Sequence, residues 1–335
     1  MRTLVEQTEG AIHHWLKRAG LADRVGLHVL MGGSDAGAWR LSPDKPAILV
    51  GTQDMLLSRA LNRGYGVGRG AWPMELGLLH NDVLWVSDEV QLQDVGLATS
   101  AQLAAFRAHD HAMRGGSLRP ARIWWMSATL QPRWLETVDH APHVAGLASR
   151  MERIPDAERS GGLWDVRKKL TRELASDGLA KPAEVAALVR GRHAPNSLTL
   201  VIVNTVKRAA EVFEALAKEL RPGGKRAKGA ASAEAPELRL VHSRFRGAER
   251  RTWAAEMLSR EAPLPDAGRV VVCTQVVEAG VDISAKLLVT DLAPWPSLVQ
   301  RFGRAARYAG DTGAVVVIGA PPDEKQARPY DSAAM

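Results

Sequence analysis

The chain has 335 residues, room for two domains of ordinary size, and its 46% hydrophobic and 24% charged residues are the balance of a soluble globular protein. No apolar run approaches the ~20 residues of a membrane span, the N-terminus lacks a signal-peptide core, and one cysteine, Cys273, allows neither an intrachain disulfide nor a cysteine-built zinc site. A membrane protein and a disulfide-stapled scaffold are thereby excluded and a cytoplasmic protein is expected, while the net charge of +7 favours a polyanionic partner.

In chain order, Arg2–Val5 reads as a short β-branched segment leading into a helix to about Ala19. Strands are expected at Gly26–Met31, which ends at Gly32–Gly33, and at Ala47–Val50. Gly51–Thr52–Gln53–Asp54 then leads into a helix over Met55–Asn62, capped by Thr52 or Asp54. Gly64–Gly70 is a loop. Val83–Ser87 is a strand that delivers Asp88–Glu89–Val90–Gln91, a helix runs over Leu97–Arg114, and a strand over Arg122–Met126 ends at Ser127–Ala128–Thr129. Residues 149–195 are polar and read as a connection. The alternation restarts with a strand at Leu198–Val203 before Asn204–Thr205, a helix over Val206–Glu219, and a strand at Leu238–Val241 before His242–Ser243–Arg244–Phe245. A helix over Gly247–Ser259 and strands at Val270–Cys273, Leu287–Leu292 and Ala314–Ile318 complete it. Residues 222–236 are rich in Ala, Gly and Lys and read as a mobile insertion.

Strands alternating with helices predict an α/β protein with two parallel-sheet domains facing a cleft: residues 1–148, and residues 196–335 beyond the connection. The polar motifs fall just after strands, where ligands bind in such sheets. Thr274 and Gln275 follow one buried strand, and Gly280 and Asp282 lead to the next. Helical spacing would put Gln300, Arg304 and Arg307 on one face, which suits a polyphosphate with a water to position. Asp88, at the end of a strand, can hold Mg²⁺ through water, and Glu89 can polarise the water that attacks a γ-phosphate. His109–Asp110–His111 is rejected as a metal site, because adjacent helical residues point in different directions.

Gln300-Arg301-Phe302-Gly303-Arg304-Ala305-Ala306-Arg307 resembles motif VI of superfamily two helicases, and Thr274 to Asp282 resembles their motif V. The wording is closest to the CRISPR-associated helicase–nuclease of type I systems. Asp88–Gln91 resembles motif II, with Gln91 where the family usually has histidine, and Ser127–Thr129 resembles motif III. The segment around Thr8 resembles motif Ia.

The resemblance implies two RecA-like domains, the first incomplete, with ATP and Mg²⁺ as cofactors. It implies ATP-dependent translocation along single-stranded DNA in partnership with a CRISPR surveillance complex. Catalysis falls to Asp88, Glu89, Gln300, Arg304 and Arg307, nucleotide contacts to Gly280, Asp282 and Arg301, and coupling to Gln91, Ser127 and Thr129. Thr8, Gly32, Gly33, Thr52, Gln53, Asn204, Thr205, Ser243, Arg244, Thr274 and Gln275 are expected to face nucleic acid. Alternatives are an RNA helicase, a restriction translocase, or a strand-binding remnant without turnover. No G-x-x-x-x-G-K-[ST] occurs in the 335 residues. The family carries that loop just before motif Ia, so a fragment is expected whose first domain is the less stable and which does not hydrolyse ATP by itself.

Overall fold

The computed structural model describes residues 2–32, 38–115, 119–127, 129–174, 178–220, 235–246, 249, 252–320, 323–331, 333 and 335. Gly33, Ala128 and residues 222–234 of the expected insertion lie outside them. The chain divides into two compact units, Met1–Arg153 and Ile154–Met335.

The first unit opens with α1 (Arg2–Arg18), where a short β-branched segment was expected. Val5, Ile12 and Leu16 recur at helical spacing, and that longer period overrides the local preference of the first residues. β1 (Gly26–Leu30) pairs in parallel with β2 (Ala47–Gly51). After α2 (Gln53–Ala60) and α3 (Trp72–His80), β3 (Leu84–Ser87) pairs in parallel with β4 (Arg122–Trp125) across α4 (Val95–Met113). A short α5 (Ala141–Val144) follows.

The single sheet expected here is thus two separate two-stranded ladders among the described residues. Both lean on one core. Leu49 of β2, Trp85 of β3 and Ile123 of β4 pack with Leu57, Ala60, Leu79 and Leu103 from α2, α3 and α4. Inside this core Glu75, fully buried, is held by Arg40 at 3.0 Å and Arg59 at 3.3 Å. The opposite face of β3–β4 is bare within this unit, with Leu84 45%, Val86 53% and Trp124 59% exposed.

The second unit is a six-stranded, all-parallel sheet in the order β5-β10-β9-β6-β8-β7. Its strands are β5 (Lys168–Glu173), β6 (Leu198–Ile202), β7 (Glu237–Val241), β8 (Arg269–Cys273), β9 (Leu287–Asp291) and β10 (Gly313–Ile318). The helices are α6 (Pro182–Arg192), α7 (Val206–Glu219), α8 (Trp253–Glu256), α9 (Trp295–Phe302) and α10 (Glu324–Ala327). Residues 149–195 are therefore more than a connection: β5 forms an edge of this sheet and α6 packs on it.

Side chains alternate along each strand. Val201, Val270, Val272, Val289 and Val316 pack with α6 and α7, while Leu200, Ile202, Val271, Cys273 and Leu288 form the layer beneath. All ten are fully buried, each contributing about 1.5–3 kcal/mol for the larger aliphatic groups. A sheet covered on both faces reads as the near-continuous apolar runs seen in the sequence.

Candidate active site and nucleic-acid interface

In the first unit the carboxyl end of β3 presents Asp88, exposed, and Glu89, half-buried. Glu89 is left-handed, with φ 48° and ψ 50°, a conformation that costs a non-glycine residue strain. It turns the chain so that Val90 drops into a core with Leu97, Ala101 and Leu135. The Gln91 amide then donates to Glu89 Oε2 at 2.5 Å, and Ser127 Oγ donates to Gln91 Oε1 at 2.6 Å. The Thr129 N–H donates to Ser127 Oγ at 3.0 Å. Glu89, Gln91, Ser127 and Thr129 therefore form one hydrogen-bonded chain across the ends of β3 and β4. Gln91 suits this place because its amide donates and accepts at once at any pH. Partial burial pushes the Asp88 carboxyl above the usual carboxylate range. The Glu89 N–H, donating at 2.9 Å, pulls it back, and the Glu89 charge adds to the rise.

Other residues expected to face nucleic acid are differently placed. Thr8 lies within α1 and its hydroxyl donates back to the Leu4 carbonyl at 2.8 Å. Gln53 packs against the start of α4, its Oε1 buried without a partner where a Cβ on Gly96 would come within 2.6 Å. Thr52 precedes α2 without a side-chain capping bond, and Gly32 lies in the turn after β1.

The second unit gathers its motifs at the carboxyl ends of β6, β7, β8 and β9, and here two kinds of expectation change, the exposure of single side chains and the extent of a helix. Arg301 is fully buried rather than turned to a nucleotide. It donates to Glu278 Oε1 at 2.8 Å, Thr290 Oγ1 at 2.8 Å, Asn204 Oδ1 at 2.9 Å and the Tyr330 hydroxyl at 3.1 Å. Asn204 is buried too, its Oδ1 accepting from Arg301 and its Nδ2 donating to the Leu292 carbonyl at 2.8 Å, so its amide is turned inward rather than toward a strand. Thr205 caps α7 by accepting the Arg208 N–H at 3.2 Å, and Thr274 is buried.

The second change concerns helix geometry. α9 ends at Phe302, capped by Gly303, so Gln300, Arg304 and Arg307 do not share a helix face. Beyond the cap, Ala305 bridges Ala285, and Ala285 takes up the Arg304 carbonyl at 2.8 Å. This bridge, followed by Ala306 in the left-handed region at φ 42°, separates the two arginines. Arg304 is buried and donates to the carbonyls of Glu278 at 2.7 Å and Val281 at 2.8 Å, both within the motif V stretch. Arg307 stays exposed, its Nε 2.8 Å from Asp282 Oδ1. Gly280, at φ 72°, makes the turn that carries Asp282 to the surface, a conformation for which glycine is suited. Gln300 and Gln275 are half-buried, the latter donating to the Asn204 carbonyl at 2.8 Å; Ser243 and Arg244 are exposed after β7.

Several partners carried no signal in the motif reading. Glu278 lies inside the motif V stretch yet had no assigned role. Asp291 ends an apolar strand and holds Arg208 through contacts of 2.8–3.0 Å. An acid closing a buried run is a signal that could have marked it. Asp311 accepts from Ser284 Oγ and from the Tyr308 N–H, fixing the turn that bears Arg307. Burial, then Asp282 beside it, pushes the Tyr308 phenol up to about 12. Lys168 of β5 donates to the Phe302 carbonyl at 2.8 Å, and burial with the nearby Arg307 and Arg304 charges lowers its ammonium.

A family model described as the C-terminal part of the CRISPR-associated nuclease/helicase Cas3 matches residues 195–310. The CRISPR-associated helicase Cas3 of Thermoproteus tenax is 26% identical over 246 residues, 73% of this chain and 35% of that protein. The CRISPR-associated endonuclease/helicase Cas3 of Thermus thermophilus is 28% identical over 327 residues, 83% of this chain and 32% of its own length. The chain is homologous to Cas3. The crystal structure of T. fusca Cas3 with ADP shares the fold at TM-score 0.63 and 19% identity, covering 98% of this chain and 41% of that one. The architecture is thus the RecA-like α/β arrangement of Cas3-type superfamily two helicases, and the chain spans about a third of the length of these curated Cas3 relatives. Among the described residues no helix is long and apolar enough to cross a membrane.

The residues fit one end of a Mg²⁺–nucleoside triphosphate. Exposed Asp88 suits Mg²⁺, which is held by one or two carboxylates together with substrate phosphates, and no group of three His, Cys, Asp or Glu forms a metal cage among the described residues. The β- and γ-phosphate cradle of a P-loop has no counterpart in these 335 residues.

Proposed function

We propose that the chain is the motor part of an ATP-dependent translocase acting on single-stranded DNA in CRISPR interference, alongside a surveillance complex. The hydrogen-bonded chain from Glu89 through Gln91 to Ser127 and Thr129 carries the reading. It ties the group suited to polarising water to the segment that leaves β4, as a motor needs if hydrolysis is to move a strand. Bound Mg²⁺ and ATP would supply the leaving phosphate and its charge neutralisation. Asp88 would hold the metal, Glu89 would orient water, and Arg307 would meet transition-state charge with Asp282 fixing its approach. Arg304 acts through motif V as a positioning residue. Ser243, Arg244 and Gln275 remain the candidates for contact with the strand, because they are exposed or half-buried at sheet ends.

The test compares DNA-stimulated ATP hydrolysis and strand binding for this chain and for a protein carrying it together with a phosphate-binding loop. Single-stranded DNA should stimulate the second protein, and binding should weaken steeply with salt. Stimulation by RNA in place of DNA would move the assignment to an RNA motor. Strand binding with no turnover in either protein would reduce it to a binding module.

A further inference from the structure

A cavity of about 480 Å³ lies in the first unit, away from the motif residues. Its wall includes Asn81, just before β3, and Arg119–Ala121, just before β4. The two strands are parallel, so this is the amino-terminal edge of the ladder. Asp88 and Ser127 lie at the other edge, about 13 Å along a four-residue strand. The helices α2, α3 and α4 contribute Ala60, Leu76, Gly77, Leu103 and Phe106, which make much of the wall apolar.

Arg107 lies in this wall, is 6% exposed, and rests its guanidinium on the Trp85 ring at 4.6 Å. Its Nε and Nη2 are buried and have no hydrogen-bond partner among the described residues. Those two nitrogens form the side-on edge of a guanidinium, the edge with which Arg208 grips both oxygens of Asp291 in the second unit. Two more buried atoms without partners belong to the same wall, Asn62 Oδ1 and His111 Nδ1. Buried polar atoms are rarely left so, and these four belong to residues that line one cavity, where a small side-chain shift brings them to an occupant. Burial without a counter-charge lowers the Arg107 guanidinium to about 10. Arg114 adds a second cation to the wall against one carboxylate, Asp110, and Arg119 is offset by Asp82 at 2.7 Å.

We propose that this cavity binds a small organic anion, its carboxylate or phosphate meeting Arg107 and its apolar body lying against Leu103 and Phe106. Asn62 Oδ1 accepts from a hydroxyl or amino group on the same ligand. Solvent barely reaches Nε and Nη2, so the ligand engages them with a small adjustment of the long arginine side chain.

The test titrates the 335-residue chain, ¹⁵N-labelled at arginine, with benzoate and with phenyl phosphate at constant ionic strength. Chloride and inorganic phosphate serve as controls. A saturable shift of the Nε–H resonance that disappears in Arg107→Gln is expected. So is at least a tenfold loss of affinity in that variant, about what a charge-assisted pair supplies. Gly77→Leu provides a second arm that keeps Arg107. A Cβ at Gly77 meets nothing within 4 Å, so the new side chain occupies cavity space without crowding the core, and binding should fall comparably. Arg307→Gln should bind as the parent does, which separates this site from the motif VI region. Carboxylate and phosphate sources are told apart by which probe saturates at lower concentration. No saturable binding of either probe, or affinity in Arg107→Gln and Gly77→Leu equal to that of the parent, would leave a water-filled cavity and overturn the proposal.

Discussion

The two units solve one problem with unequal means. In the second, six parallel strands let every central strand pair on both sides, and helices close both faces, so Leu200, Val201, Val271, Val272, Leu288 and Val289 are fully buried. In the first, four strands form two separate ladders, and one face of β3–β4 leaves Leu84, Val86 and Trp124 bare within the unit. A two-stranded ladder has only edge strands and marginal stability of its own. The polar groups follow the same contrast. Arg301, Glu278, Asn204 and Asp291 satisfy one another in the second unit, whereas Arg107, Asn62 and His111 of the first have buried atoms without partners. The polar cluster at the end of the complete sheet has fixed partners, with His242 Nδ1 after β7 an exception among the described residues, and the open ladders leave edges and pockets for something else to fill.

The largest effects should come from the residues proposed for turnover, Glu89 in one unit and Arg307 in the other. In a protein that carries this chain with a phosphate-binding loop, Glu89→Gln in the first unit should retain ATP binding and lose turnover. Arg307→Ala in the second should lose turnover about 10³-fold, the scale of an arginine finger. Steady-state hydrolysis with saturating DNA measures both. Near-normal turnover in either variant would contradict the role proposed for that residue.

Next comes Arg301→Ala, which removes one partner of a buried ion pair and strands Glu278. It should cost about 3–5 kcal/mol in urea unfolding. The effect should fall on the transition of the second unit and leave that of the first where it was. A variant as stable as the parent would contradict the structural role assigned to Arg301.

Acidification should separate the units more gently. Burial holds the His80 and His140 imidazoles below their ordinary range, and each shares a ring nitrogen with a backbone carbonyl, Ala60 at 2.8 Å and Leu135 at 3.0 Å. A depressed folded value means the unfolded chain takes up the proton first. The stability is therefore intact above about pH 6.5 and is lost as pH falls through the lowered folded values. Hydrogen exchange in α3 and α4 should accelerate on acidification before exchange in β6 and β9. His242, also lowered, lies after β7 and should loosen only that end. Equal loosening of both units would break the contrast.

The smallest effect is expected at the bare face. Trp124→Gln or Leu84→Gln should change stability by no more than about 0.5 kcal/mol and reduce self-association in sedimentation. A loss of several kcal/mol would mean that this face is packed against something.

Much of the architecture was legible. The runs at Val270–Cys273 and Leu287–Leu292 read as buried strands because parallel strands are apolar on both sides, and the placement of Asp88–Gln91 after Val83–Ser87 needed only the end of such a run. β5 was missed because Lys168–Glu173 is an edge strand whose exposed positions include Lys168, Lys169 and Arg172, which reads as loop. α1 was misread because three β-branched or apolar residues outweighed a seventeen-residue period. The face shared by Gln300, Arg304 and Arg307 failed because helical spacing holds only while the helix lasts, and the segment after Gly303 forms its own bridge to Ala285.

By itself the sequence determined the fold class, the alternation of strands and helices, and the order of the polar segments, because these depend on periodicity and on residue types a few positions apart. Only the tertiary structure decided which polar side chains meet. Arg301 and Arg304 look like Arg307 in the chain. The first is drawn inward by Glu278, twenty-three residues earlier, the second by the carbonyls of Glu278 and Val281, and only Arg307 keeps its guanidinium at the surface. Burial of a charge depends on partners distant in sequence, and no local pattern encodes the distance between them.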